Sequence, residues 1–183
     1  MQFPAPSKSP ALRTEQIILF RVSGQLFAVS SGSVQEVRSV DSLAGSAAEI
    51  TAPGLKKVRH IVRRSDKSLF VVNGALHFGL PVTAGLLVLV LRRTRTALLI
   101  DGIDKMSTMT ILQALPQAFC NEERTWYRGV TALDQNVVPV VNPEGFLTPE
   151  EIVLLEQSQN SGASGVKTAA AGSPIGSVHE PAE

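Results

Sequence analysis

Hydrophobic residues in this chain fall in short dense runs separated by polar turns. Ile17-Ile18-Leu19-Phe20-Arg21-Val22 and Leu26-Phe27-Ala28-Val29 flank Ser23-Gly24-Gln25. Two such runs about a tight, Gly-containing turn predict a β-hairpin. Leu86 to Leu91 and Ala97-Leu98-Leu99-Ile100 repeat the arrangement around polar Arg92–Thr96. These runs scarcely alternate, which predicts strands covered on both faces. Helical signals are few. Ser33-Val34-Gln35-Glu36-Val37 predicts a short helical turn. Thr148-Pro149-Glu150-Glu151 places an N-cap Thr, Pro at N1 and Glu at N3 before Ile152–Leu155. That capping box predicts a short C-terminal helix packed on a barrel.

A shift of 69 residues lays one part of the chain over another. Val58-Arg59-His60-Ile61-Val62 falls on Tyr127-Arg128-Gly129-Val130-Thr131, and the turn Ser65-Asp66-Lys67 on Asp134-Gln135-Asn136. Leu69-Phe70-Val71-Val72-Asn73 then falls on Val138-Pro139-Val140-Val141-Asn142. Evenly spaced short strands in a repeated unit of this size predict an all-β protein of two small barrels sharing a hydrophobic core. The folded unit is expected over 14–156, with its two halves divided near residue 82. Residues 1–13, with Pro4, Pro6 and Pro10, read as a flexible lead-in. Residues 157–183, rich in Ser, Gly and Ala and without an aromatic, read as a disordered tail.

Composition narrows the chemistry. The chain has 183 residues and one cysteine, Cys120, so it can form neither an internal disulfide nor a Cys-based zinc cluster. No apolar run approaches the roughly 20 residues that span a bilayer. The opening MQFPAPSKSP lacks the apolar core of a secretory signal. A cytoplasmic protein is expected, without direct membrane insertion. The net charge of +1 hides a segregation. Residues 56–95 carry nine basic groups against one acid, Asp66, whereas residues 96–183 carry eleven acids against four basic groups. Such asymmetry fits a polyanion-binding face or complementary protein faces, or charges that simply protect strand edges.

Taken in order, these segments resemble a known family. The hairpin at 17–29 precedes Val34-x-Glu36-Val37, followed by Val71-Val72-Asn73 and Phe78-Gly79-Leu80. Leu98-Leu99-Ile100-Asp101-Gly102-Ile103 comes next, and Tyr127-Arg128-Gly129-Val130 leads to Val137-Val138-Pro139-Val140-Val141. The chain is similar over nearly all of 14–150 to the CheW-like domain, the adaptor module of bacterial chemotaxis arrays. The resemblance implies two five-stranded SH3-like barrels about a common core, no catalytic activity and no cofactor. It implies two partners: the cytoplasmic tip of a methyl-accepting chemoreceptor, and the regulatory domain of a histidine kinase, which shares the fold. By resemblance, a receptor groove would be lined by Val34, Glu36 and Val37 and, close by, Ile100, Asp101 and Ile103. The first repeat departs from the family pattern. His60, Ser65, Asp66, Phe70 and Asn73 stand where the family has Gly, Arg, Gly, Pro and Asp, and Asn142 replaces the second Asp. Asp66 would need a left-handed turn, which Asp tolerates. Arg64 is one position early for the family arginine, a shift that reverses its face on a strand.

Catalytic signatures are missing from the sequence. It contains no P-loop, no GxGxxG after a strand and no GxSxG elbow. His60, His77 and His179 are far apart, without the spacing of a metal site. His77 sits among apolar neighbours, as a core histidine does. Asp101 and Asp104 fit turn capping better than acid–base work, and Cys120, beside Glu122 and Glu123, fits a buried or idle thiol. The competing reading is a nucleic-acid-binding barrel. Its basic face would comprise Lys56, Lys57, Arg59, Arg63, Arg64, Lys67, Arg92, Arg93 and Arg95. Single-strand binders interleave aromatic platforms with their basic residues, whereas only Phe70 and Phe78 lie near this set.

Overall fold

A computed structural model describes residues 14–43, 47–49, 55–64 and 67–163, with 47–49, Arg64 and 160–163 described by their backbone alone. The strands are β1 (Glu15–Val22), β2 (Gln25–Ser30), β3 (Val34–Ser39), β4 (Ala47–Glu49), β5 (Val58–Arg64), β6 (Lys67–Asn73), β7 (Leu87–Leu91), β8 (Thr96–Ile100), β9 (Gly102–Met109), β10 (Tyr127–Leu133) and β11 (Asn136–Val141). Two single-turn helices, α1 (Gly74–His77) and α2 (Glu123–Trp126), precede a longer one, α3 (Pro149–Ala163).

Local chemistry accounts for the hairpins. Ser23 and Gly24 both adopt positive φ, 50° and 76°, the two-residue turn whose twist matches its flanking strands. Accordingly β1 and β2 pair from Val22↔Gln25 to Ile17↔Ser30. Asp134 and Gln135, at φ 49° and 67°, turn β10 into β11 in the same way. The matching position Asp66 lies outside the described residues.

The strands form two sheets, ordered β10-β11-β2-β1-β9 and β3-β7-β8-β6-β5-β4. Beyond β9 the chain bends so that Gln113 and Val130 exchange backbone hydrogen bonds of 2.8 and 2.9 Å, joining the far edges of the first sheet. In the second sheet the edge strands β3 and β4 follow one another in the chain. Each sheet is a small SH3-like barrel, the second carrying the three-residue β4 as a sixth strand.

Three expectations are corrected. Residue 82 does not divide the barrels: the first takes β1, β2 and β9–β11, and the second is the continuous stretch 34–100. The cause is parallel pairing. β2 lies beside β11, and β6 beside β8, and parallel neighbours require long crossovers. Ser33–Val37 is not a helical turn. A 3-10 turn ends at Ser33, and Val34–Ser39 pairs with buried β7 through a bulge between Val34 and Glu36. This ladder, with β-branched Val34 and Val37, overrides a weak local helical preference. Finally, α3 does not stop near 156 but continues to Ala163. Its capping box is present: Thr148 Oγ1 accepts from the Glu151 amide (3.2 Å), and the Glu151 carboxylate accepts from the Thr148 amide (2.9 Å). Residues 1–13 and 164–183 lie outside the described residues.

Burial separates three cores, and the strands alternate between them. Ile17 and Leu19 of β1 join Ala28, Met109, Val138 and Val140 inside the first barrel. Leu69, Val71, Val88, Val90 and Ala97 fill the second. The residues between them, Ile18, Phe20, Val22, Phe70, Val72, Leu89, Leu91, Leu98 and Ile100, meet in one cluster between the barrels, with Val141, Phe146 and Leu155. Non-alternating runs such as Leu87–Leu91 are therefore strands with a core on each face.

Candidate functional site

Of the residues singled out for a receptor groove, Ile100, Asp101 and Ile103 occupy the corner where the chain passes from one barrel to the other, while Val34, Glu36 and Val37 lie on β3. β8 ends at Ile100 in the second sheet, and β9 starts at Gly102 in the first. Asp101, between them, is a clasp. Its carboxylate accepts from the Gly24 amide (3.0 Å) and the Thr83 hydroxyl (2.8 Å), while its own amide donates to the Arg21 carbonyl (2.9 Å). Arg21 adds an ion pair to Asp104 (3.1 Å), and the Ser23 hydroxyl donates to the Pro81 carbonyl. The β1–β2 turn, the 81–86 loop and the barrel junction are thus tied together.

Of the groove residues, Val34 and Ile100 are buried in the shared core. They stand at opposite ends of the second sheet, about 14 Å apart along the strand direction. Val37 and Ile103 reach solvent, 40% and 39% exposed. Glu36 is half-buried and lies 3.8 Å from Arg38. Two apolar residues that sequence reasoning missed lie beside this corner: Val82 and Leu86, 55% and 64% exposed. Leu86 accepts from the Val40 amide (3.0 Å) and donates to the Ile100 carbonyl (2.9 Å), drawing the ends of β3 and β8 to its two sides. Gly85 allows this approach, since a Cβ there would meet the Leu99 side chain at 2.5 Å. The signal was Pro81 and Gly85 bracketing Val82 just before the apolar run that starts at Leu86.

The two hairpins that carry the basic set are neighbours through β8 and β6, and the set is spread along them. Lys57 and Arg63 lie six residues apart along the β5 direction, about 20 Å. Helix α3 discharges part of the set: Lys57 pairs with Glu151 (2.8 Å) and Arg95 with Glu156. Ser68 donates to Gln159 (2.9 Å), so the helix follows β6 from one end to the other. Arg95 also lies over the Phe70 ring, 5.2 Å from its centroid. Lys56, Arg59, Arg63 and Lys67 are exposed, as are Arg92 and Arg93 on the β7–β8 turn; Arg64 ends β5. The charge segregation along the chain is in part complementarity within the molecule.

His77 is buried, with its ring against Trp126 (4.5 Å), Phe78 and Phe146 (both 5.0 Å), and its Nε2 has no hydrogen-bond partner. Burial, aided by the charge of Lys57, pushes its pKa down to about 3. Cys120 is exposed rather than buried, and its amide donates to Glu123 (2.9 Å). Among the described residues no three His, Cys, Asp or Glu side chains are grouped to hold a metal. No helix among them is long and apolar enough to cross a membrane.

Two interleaved SH3-like barrels around a shared core, joined at a clasped corner, define a class of double-barrel domain. The family model for the CheW-like domain matches residues 16–151, and the chain belongs to that family. Its fold is similar to that of the scaffolding protein TtCheW from Thermoanaerobacter tengcongensis, with a TM-score of 0.61 and 12% sequence identity, covering 76% of this chain and 97% of that one. No curated protein matches the chain by sequence.

Proposed function

We propose that this protein is a non-catalytic adaptor in a bacterial chemosensory pathway, coupling chemoreceptors to a histidine kinase. The observation that carries the reading is the family match across both barrels, 16–151; the fold shared with a protein described as a scaffold is in keeping with it. In this reading the receptor tip docks at the barrel junction. Val37 and Ile103 make contact, joined by Val82 and Leu86, while Val34, Ile100 and Asp101 hold the surface in shape and Glu36 flanks it. The kinase regulatory domain pairs with a barrel edge. The protein works in the cytoplasm and reaches membrane-associated arrays through its partners. A polynucleotide partner is disfavoured, because the basic residues are spread out and two of them are paired with α3. The test is a pull-down with a receptor cytoplasmic hairpin and a kinase regulatory domain. Capture of both in one complex is expected, and weakening of receptor capture alone by Leu86→Asp. Failure to capture either overturns the reading.

A further inference from the structure

One edge of the first barrel is open along a whole strand. β9 pairs with β1 on one side, and among the described residues no strand lies on its other side. The closure between Gln113 and Val130 comes only after its last residue, Met109. Parity fixes which groups line this edge. The Ser23–Gly24 turn makes Val22↔Gln25 the hydrogen-bonded pair beside it, so Phe20 and Ile18 turn their backbone to β2, and Leu19 and Ile17 turn theirs to β9. Lys105 and Ser107, the partners of Leu19 and Ile17, therefore face β1, and the N–H and C=O of Met106 and Thr108 point outward. Such a row of backbone groups is a template for another strand unless something blunts it. The usual guards are missing beyond Asp104. β9 has no proline, and its bulge, opposite Leu19 and Phe20, precedes Lys105. Lys105 shares the face of Leu19, which looks into the barrel, and it meets Asp134 (2.7 Å). Exposed apolar side chains gather here as well: Ile103 and Met106 on β9, with Met106 63% exposed, and Ile111 and Leu112 just beyond it.

We infer that β9 pairs with β9 of a second copy of this chain, antiparallel and two-fold symmetric about Met106. The occupant follows from the edge itself. Only another backbone offers donors and acceptors at strand spacing, and this strand is complementary to its own copy. The two-fold sets Met106 against the partner's Met106, Lys105 against the partner's Ser107 and Asp104 against the partner's Thr108. No charge faces its like directly across the pair, the arrangement that cross-strand pairing favours. Asp104 and Lys105 also bring counterions, Arg21 and Asp134, from their own molecule. The methionines that each copy exposes meet on the axis. An isologous contact of this kind closes at two copies. The inference is independent of the receptor–kinase reading, since it uses only the chemistry of this edge.

The test is sedimentation velocity of the full chain from micromolar to millimolar concentration. A reversible monomer–dimer equilibrium is expected. Met106→Pro should raise the dimer dissociation constant about tenfold or more, because it deletes the N–H at the axis. That N–H makes no bond to β1, so the thermal midpoint of the variant at low concentration should stay level with the parent's. In a Cys120→Ser background, Met106→Cys should give a disulfide-linked dimer on mild oxidation, since residues paired across the axis lie about 5.5 Å apart. Val153→Cys, at an exposed site on α3, should not. A chain that stays monomeric, assembly past the dimer, a dimer that survives Met106→Pro, or equal cross-linking through position 153 would each overturn the inference.

Discussion

The hairpins β5–β6 and β10–β11, related by the 69-residue shift, share a skeleton and differ in what surrounds it. Each has a bulge after its first residue, between Val58 and His60 and between Tyr127 and Gly129. Each ends in an asparagine that caps the next turn, Asn73 to the Leu76 amide and Asn142 to the Glu144 amide. Leu69 and Val71 face one barrel interior as Val138 and Val140 face the other, and Val72 and Val141 both reach the shared core. The differences follow from neighbours. Phe70 donates its amide to the Arg95 carbonyl (2.9 Å) in the β6–β8 ladder. Its counterpart Pro139 sits where β11 meets β2 at only one register pair, Val140↔Ala28. Proline is therefore admissible at 139 and excluded at 70. Likewise His60 pairs with Glu49 of β4 in a regular ladder, whereas Gly129 lies against the Gln113 bridge, where a Cβ would meet the Gln113 carbonyl at 2.3 Å. The departures from the family pattern at 60 and 70 thus answer to different partner strands.

Substitutions that make the repeats alike should break the molecule unequally. Phe70→Pro removes a ladder hydrogen bond and empties part of the shared core. A loss of about 5 kcal/mol or more in chemical denaturation is expected, against less than about 1 kcal/mol for Pro139→Ala. Gly129→Ala should cost about 3 kcal/mol through its clash with the Gln113 carbonyl, while His60→Gly costs about 1 kcal/mol; equal losses would contradict the assignment of the glycine to the bridge.

The third contrast is chemical. His77 falls on Phe146 under the same shift, and the two rings touch in the folded protein. Because burial holds His77 near pKa 3 while the unfolded chain takes up its proton near 6.5, stability is full above pH 6.5 and falls as pH drops from there toward 3. The slope should approach about 1.4 kcal/mol per pH unit, and urea melts of His77→Phe across this range should lack that contribution. The smallest effect concerns α3, which covers the first hairpin alone. Glu156→Gln should cost about 0.5 kcal/mol, as a partly exposed ion pair does, and the difference from the parent should shrink in high salt.

The hairpins were legible in the sequence because turn residues and dense apolar runs are local signals, and the capping box of α3 was legible for the same reason. The interleaving of the barrels was not, because β2–β11 is a parallel pair between segments far apart in the chain. Nor could sequence show that Val34 and Ile100 are core residues while Val37 and Ile103 face out. β3 and β9 are edge strands with few buried positions, so their sparse apolar residues carry no local sign of which side is wet. Asp101 was named as a contact. Its bonds to Gly24 and Thr83 make it a fastener as well, a role set by a β-turn 77 residues away.

The interleaved topology also orders events in time. The barrel of residues 34–100 has all its strands once that stretch has left the ribosome, whereas the barrel begun by β1 and β2 lacks β9–β11 until residue 141 has been made. Through that interval Ile17 and Leu19 have no Val138 or Val140 to cover them. The first hairpin to emerge is thus the last to be enclosed, and slow closure over so long a loop exposes it to aggregation or to a chaperone.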